Sequence, residues 1–421
     1  MGRVAPSAAW VRGRVDGSSV RLAVADNTEL IDPVFYGPVT PTDDDMVSIV
    51  AEGLDPDTAY WYALEVDSVV DEDFVGQFRT HPPAGQPVSF SFWAASCAGS
   101  GTSDWITDRV SNHPVFDVIR ERGHLFGVHL GDLHYRDIGS GMHGIEAPFT
   151  VDHYRDAYDD VLTFNGTEGA DARQGQLYRS TPLVYVWDDH DYGPDNSDGS
   201  LPHKDAAAQA YRERVPHYPL PDDDGAIYQT WTVGRVLFIA ADARFHRDWS
   251  AGTMLGSAQK QWMRDVLTAS DAALFVWLMP DQWTRAGTDA DVDHWGAFES
   301  ERFELIEMFA ELGWLDRMLV VQGDAHNMGM QSGATNPHGG MPVYQFAPLD
   351  STPSSGASSL WDVGLLGNQR GCWGSVEIDD DGEQITVTGR AWREDEQQFS
   401  HTFTVGGPPP EPPPPTAGDA L

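Results

Sequence analysis

Six short apolar runs between residues 87 and 321 alternate with longer segments, and each run ends in residues able to carry chemistry. No other feature narrows the fold as much. Pro87–Ala95 ends in Ser96-Cys97, and Leu125–Leu130 ends in Gly131-Asp132-Leu133-His134-Tyr135. Leu183–Trp187 ends in Asp188-Asp189-His190-Asp191, and Val236–Ala241 in Asp242-Ala243-Arg244. Leu274–Met279 ends in Pro280-Asp281-Gln282, and Met318–Val321 in Gln322-Gly323-Asp324-Ala325-His326. Dense apolar runs of this length predict buried strands. In α/β proteins the C-terminal tips of such strands are where functional side chains converge.

The segments between the runs have helical character. Val151–Val161 is one. Asp205–Val215 is rich in helix formers and stops at Pro216. Ser257–Leu267 opens with a serine suited to capping. Phe298–Leu312 carries apolar positions at helical spacing and ends at Gly313. Strands alternating with helices predict an α/β core over residues 87–405. Ahead of it, residues 1–83 predict a small antiparallel β-sandwich, with strands at Val20–Val24, Val47–Val50, within Gly53–Val66 and at Gly76–Pro83. No cluster there points to catalysis. Residues 350–368 are Ser/Gly-rich and predict a loop. Ser375–Ile378, Gln384–Thr388 and Phe399–Val405 predict a closing meander. Residues 406–421 are Pro-rich and predict an extended, mobile tail.

A net charge of -39, with only Lys204 and Lys260 as lysines, excludes a nucleic-acid or anionic-membrane surface. Such an acidic shell suits high salt. No apolar run approaches the roughly 18–20 residues of a transmembrane segment. The start, MGRVAPSAAWVRGRV, has neither an apolar stretch nor paired arginines. The expectation is a cytoplasmic chain, or an extracytoplasmic one if it is processed or truncated. Cys97 and Cys372 are too few for a disulfide scaffold, and nothing favours a bridge between them.

Singly, the residues at the strand tips prove little: an aspartate after a strand often caps the next helix, and a cysteine there is often inert packing. Together they repel. Five of the six tips carry a carboxylate, and burying such groups unpaired costs several kcal/mol each. Bound cations are the simplest compensation, and Asp/His sets suit divalent and trivalent ions. Two metals about 3.5–4 Å apart activate a water and clamp a phosphoryl group.

GDLHY (Gly131–Tyr135), WDDHDYGPDNSD (Trp187–Asp198) and GDAH (Gly323–His326) resemble the motifs of the PhoD-like alkaline phosphatase family, within the calcineurin-like metallophosphoesterases. ASC (Ala95–Cys97), ADARFHRD (Ala241–Asp248), LGSAQKQWM (Leu255–Met263) and DHWGAFESER (Asp293–Arg302) follow in the family's order. The resemblance reaches to about residue 405 and implies a two-sheet metallophosphoesterase core flanked by helices, with an N-terminal fibronectin-III-like sandwich. It implies hydrolysis of phosphate esters, of the alkaline phosphatase monoesterase type, by a metal-activated hydroxide. Alternatives are a phosphodiesterase or phospholipase D-type activity at the same metals, or a catalytically silent binding module. The implied cofactors are Fe3+ and Ca2+, with Zn2+, Mn2+ or Mg2+ as substitutes. The implied metal ligands are Cys97, Asp132, Tyr135, Asp189, Asp281, Asp324 and His326, with Asp132 bridging. Cys97 and Tyr135 would be thiolate and phenolate ligands of the iron. His190 would assist the leaving group, and Asn196 and Arg244 would grip the phosphate, Arg244 through a bidentate fork. Asp188 and Asp191 would orient their neighbours. His134, His143, His153 and His203 read as loop histidines, and His294 and Trp295 as pocket rim. Two departures stand out: Asp195-Asn196 replaces an Asn-Asn pair, and Asp281-Gln282 replaces an Asn-Gln pair.

Overall fold

The chain is seen in a computed structural model that describes residues 1–99, 111–141, 145–162, 173–221, 225–287 and 293–406. The tail expected beyond residue 406 and His143 lie outside the described residues.

The N-terminal strands are β1 (Gly2–Ala5), β2 (Ala8–Arg14), β3 (Val20–Ala25), β4 (Val34–Val39), β5 (Met46–Glu52), β6 (Ala59–Val66), β7 (Val69–Val70) and β8 (Gly76–Arg79). β1, β2 and β5 form one antiparallel sheet, and β4, β3, β6 and β7 form another, with β8 paired to β6. Val4, Val11 and Ile49 from the first sheet and Leu22, Tyr62 and Phe78 from the second meet in one apolar cluster. The Tyr218 hydroxyl donates to the Val4 carbonyl at 2.9 Å, and the Tyr62 hydroxyl to that of Arg179 at 3.1 Å. These bonds satisfy buried backbone carbonyls and tie the N-terminal sheets to the rest of the molecule.

The remaining elements in order are β9 (Phe90–Ala95), α1 (Val115–Glu121), β10 (Phe126–Leu130), α2 (Val151–Leu162), α3 (Arg173–Ser180), β11 (Leu183–Val186), α4 (Asp189–Tyr192) and α5 (Lys204–Arg214). Then come β12 (Gln229–Val233), β13 (Val236–Ala240), α6 (Gly256–Ala269), β14 (Leu274–Met279), α7 (Glu299–Glu311), β15 (Met318–Gln322), β16 (Met328–Gln331), β17 (Val343–Gln345) and β18 (Gly364–Leu366). The described chain closes with β19 (Cys372–Asp380), β20 (Gln384–Arg393) and β21 (Glu396–Gly406). One mixed sheet runs β11-β10-β9-β19-β20-β21 and a second runs β12-β13-β14-β15-β17-β16-β18. β9, β10 and β11 are parallel to one another, as are β13, β14, β15 and β17.

Alternation along the second sheet explains its layers. Phe238, Val276, Leu278 and Val321 belong to a cluster shared with Phe92, Val128 and Val376 of the first sheet. Their neighbours Ile239, Trp277 and Val320 point the other way, among residues of α6 and α7. A strand buried on both faces must be apolar throughout, which is why LFVWLM in β14 shows no polar alternation. Between the sheets, the Phe126 ring stacks on Phe92 at 5.2 Å and meets Phe238 edge-on at 5.4 Å. Each buried ring of that kind stabilises the fold by about 1.5–3 kcal/mol.

Four expectations need adjustment. Helix α6 starts at Gly256, so Ser257 lies inside it and does not cap. The Thr253 hydroxyl accepts from the Gly256 amide at 2.9 Å instead, and the buried Glu301 carboxylate of α7 accepts from the amides of Met254 and Leu255. The segment opening α7 is first a 3-10 turn, Trp295–Phe298. The expected loop at 350–368 contains β18 and a 3-10 turn, Ser358–Leu360. The meander strands are longer than their apolar patches, because β19 and β20 pair continuously over the whole of β19 and stack Trp373 on Trp392 at 5.7 Å. Both cysteines are buried and free. Among the described residues no helix is long and apolar enough to cross a membrane.

Candidate metal centre

Parallel strands of both sheets deliver their C-terminal tips to one region. Cys97 follows β9, Asp132 follows β10, Asp189 and His190 open α4 after β11, and Asp324 and His326 follow β15. The backbone at Cys97, Asp132, Asn196, Asp324 and His326 is left-handed, with φ between 54° and 62°. A side-chain-bearing residue in that region costs roughly 1–2 kcal/mol. Its concentration at the strand tips turns the chain back on itself and aims these side chains at a common point. Two glycines make the approach close enough. A Cβ on Gly131 would lie 2.2 Å from that of Asp188, and one on Gly323 would lie 2.6 Å from the Ser96 hydroxyl.

Two donor groups result. The ligand atoms of Cys97, Asp132 and His326 lie within 4.8 Å of one another, and so do those of Asp132, Asp189 and His190. Asp132 belongs to both. The Tyr135 hydroxyl joins the first group, 2.8 Å from Asp132 Oδ2 and 2.9 Å from His326 Nε2. Among the described residues Asp132 Oδ1 and Asp189 Oδ1 are buried without a hydrogen bond, and Asp189 Oδ1 lies 3.7 Å from Arg244 Nη2. A buried carboxylate oxygen left so is unstable unless a cation or a proton meets it. Sulfur, imidazole and carboxylate donors gathered round one shared aspartate fit a pair of cations.

The local field says the same. Burial, with the charges of Asp189, Asp191 and Asp324 adding to it, pushes the Asp132 carboxyl well above the usual carboxylate range. Burial, then Asp132 and Asp324, push the Cys97 thiol up, and burial with Asp132 and Cys97 does the same to the Tyr135 phenol. Cations placed among these groups reverse each shift. Burial opposes a charged His190, yet Asp189, Asp132 and Asp137 outweigh it and hold the imidazole well above its ordinary value.

Around the donors lies a rigid frame. Asp191 Oδ1 accepts from the amides of Leu133 and His134 at 2.8 and 3.2 Å, and its Oδ2 accepts from the Asp188 amide at 3.1 Å. It thereby fixes the turn that carries Asp132. The Asn196 amide donates to Asp189 Oδ2 at 2.7 Å, while its side chain turns to Asp195. Asp195 is exposed and lies 3.7 Å from His190 Nε2.

Other sequence-predicted residues fall differently. Arg244 is fully buried, and its fork closes on Asp293 at 3.0 and 2.6 Å while Nε holds Asp188 at 2.5 Å. It presents no donor to a phosphate in this arrangement. Asp281 is equally buried and bonded to Arg247, and it joins neither donor group among the described residues. The Asp324 carboxylate faces Gln282 Nε2 at 3.4 Å, and its carbonyl lies 3.2 Å from Cys97 Sγ. His294 and Trp295 are buried rather than at a rim: His294 Nδ1 accepts from the Gly296 amide at 2.9 Å, and Trp295 packs on Trp277 and Trp283. His153 and His203 bond to the Thr150 amide and the Tyr154 hydroxyl, and His134 packs on Tyr158.

Three residues escaped the sequence. Asp137 bonds His190 Nδ1, Asp293 clasps both Arg244 and Arg247, and Arg247 neutralises Asp281. None follows an apolar run directly. A signal existed only for Arg247 and Asp293, inside ADARFHRD and DHWGAFESER. Beside the donors opens a pocket of about 980 Å³, lined by Asn196, Gln282, Arg285, Asp324, His326 and the 352–361 segment.

The model of the PhoD-like phosphatase family matches residues 92–347. The solved structure of PhoD superposes with a TM-score of 0.74 at 19% identity, covering 96% of this chain and 88% of that one. That of purple acid phosphatase PPD1 from yellow lupin (Lupinus luteus) seeds gives 0.63 at 13% identity, covering 96% and 73%. These two are likenesses of fold. No curated protein matches the chain.

Proposed function

Because the chain belongs to the PhoD-like phosphatase family, and is therefore a phosphoric ester hydrolase, we propose that it hydrolyses phosphate monoesters where its two donor groups share Asp132. The observation that carries this reading is that sharing, with the buried Oδ1 atoms of Asp132 and Asp189, which no hydrogen bond satisfies among the described residues. Cys97, Tyr135 and His326 with Asp132 would hold one cation, a ferric ion, whose trivalent charge stabilises the thiolate and the phenolate as anions. Asp132 and Asp189 with further oxygens, Asp324 among them, would hold the second, for which calcium suits. Bound there, such ions supply Lewis acidity to the phosphoryl oxygens and to the attacking water.

The chain's own groups do the rest. His190, held at Nδ1 by Asp137, is placed to give a proton from Nε2 to the departing alcohol oxygen. Asn196 stands where its side chain can turn from Asp195 to a phosphoryl oxygen. Arg244 and Arg247 neutralise Asp188, Asp281 and Asp293 behind the site and so let Asp189 ionise: its carboxyl, despite burial, is held below the usual range by His190, Arg244 and the Asn196 amide. The N-terminal sheets, residues 1–83, are assigned as a fibronectin-III-like sandwich beside a catalytic unit of residues 87–405.

Purified Asp132→Ala and Cys97→Ala should each lower turnover of a chromogenic phosphate monoester by at least about a hundredfold with the fold intact. Wild-type turnover in either variant removes that residue from the site. The pocket of about 980 Å³ has room for a second ester substituent. A higher kcat/KM on a diester than on the matching monoester would replace the monoesterase reading with a diesterase one.

A further inference from the structure

With Arg244 and Arg247 enclosed by carboxylates, the cation that meets substrate must come from elsewhere. Among the described lining residues of the pocket beside the donors, Arg285 is the one lysine or arginine. Its side chain is exposed, and among the described residues it has no hydrogen bond or ion pair. In a chain of net charge -39 that is unusual company. The arginines around the metal centre are committed: Arg244 and Arg247 to Asp188, Asp281 and Asp293, and Arg136 to Asp160.

The backbone beneath Arg285 is held on several sides. The buried Arg302 guanidinium donates from Nη1 to the carbonyls of Trp283 and Arg285, both at 2.8 Å. The Trp283 amide donates to Gln322 Oε1 at 2.8 Å, and its indole donates to the His338 carbonyl at 2.9 Å. Next to it, the Gln282 carbonyl accepts from the Trp295 amide at 3.1 Å, while its side chain reaches Asp324. A long cationic side chain therefore stands on a fixed stem at a pocket that Thr352, Ser354 and Ser355 also line. A rigid base lowers the entropy lost when a flexible side chain closes on a ligand. The planar fork of arginine matches two phosphoryl oxygens at once.

We propose that Arg285 is the phosphate-recognising residue of this pocket, binding the anionic phosphate group of the ester and, after hydrolysis, of the product. The proposal rests on the hydrolase reading and replaces Arg244 in the gripping role. Arg285 also offsets the field of Asp293 and Asp324 that an approaching phosphate would otherwise meet.

The test uses the metal-loaded chain and its Arg285→Ala, Arg285→Lys and Arg264→Ala variants. Arg264 lies on the outside of α6 in a pair with Glu311, so its loss changes net charge equally without touching the pocket. Equilibrium dialysis of inorganic phosphate reads binding, steady-state kinetics on a monoester reads turnover, and elemental analysis reads metal content. Arg285→Ala should weaken phosphate binding and raise KM by roughly ten- to a hundredfold at unchanged metal content. Arg285→Lys should recover part of the loss, and Arg264→Ala should match wild type. Unchanged phosphate affinity in Arg285→Ala, or an equal loss in Arg264→Ala, overturns the proposal while leaving the hydrolase reading in place. A wild type that binds phosphate through Arg285 yet turns over no phosphate ester overturns the hydrolase reading and leaves the binding assignment standing.

Discussion

The imidazole of His190 is pinned at one nitrogen and open at the other. Asp137 takes Nδ1, the ring lies 4.3 Å from that of Tyr135, and Nε2 lies 3.7 Å from Asp195. In the proposed mechanism Asp137 is a positioning residue: bonded to Nδ1, it orients the imidazole whose Nε2 would give the proton. Asp137→Asn should lower kcat for an alkyl phosphate about 10–100-fold. It should leave an aryl phosphate with a good leaving group nearly unchanged, because that oxygen departs without a proton. Equal losses on both esters would assign Asp137 to structure alone. Asp132, Asp189 and Asp324 were legible in the sequence because each stands within a few residues of an apolar run that had to be a buried strand. Asp137 was not, and Asp293 showed only as part of DHWGAFESER, since their roles arise when a loop folds back across the tip. Arg244 was legible as important and misleading as to role: a fork that suits phosphate also suits the carboxylate of Asp293. The sequence could not say which arrives first.

At the scale of elements, the core strands lie within a few residues of their apolar runs, because burial on both faces leaves no room for polar interruption. The segments that were missed lack this signature. β16 is MGMQ, with a glycine under Trp361, and α3 is RQGQLYRS, mostly polar and anchored by Gln174 and Leu177. Both are held by tertiary contacts that no local pattern announces. Helix α6 shows the same at finer grain. The amides of Met254 and Leu255, just ahead of the helix, are met by Glu301, a residue of α7 far along the chain, and Ser257 does not cap. That carboxylate also takes the Thr253 hydroxyl at 2.6 Å and lies 3.3 Å from Lys260 Nζ. Glu301→Gln keeps the shape and removes the charge, and it should destabilise the chain by about 1–3 kcal/mol. The urea midpoint should fall with an unchanged slope. An unchanged midpoint would show that α6 is held by its apolar face alone.

Over the whole molecule, two sheets face each other across one aromatic-rich core and turn their parallel tips to a common edge, where charge accumulates. Among the described residues, Asp132, Asp188, Asp189, Asp281, Asp293 and Asp324 meet there against Arg244, Arg247, the His190 imidazole and, at the pocket, Arg285. In a chain already at -39, these cations leave the carboxylates in excess. Bound cations are the compensation that remains. Elemental analysis of the chain as purified, beside its Asp132→Ala variant, tests that directly. The predicted result is about two metal ions per chain, with a visible absorption band from iron bound to the Cys97 thiolate or the Tyr135 phenolate, and loss of most of both in Asp132→Ala. A metal-free wild type that still hydrolyses phosphate esters, or an Asp132→Ala variant with undiminished metal, would contradict it.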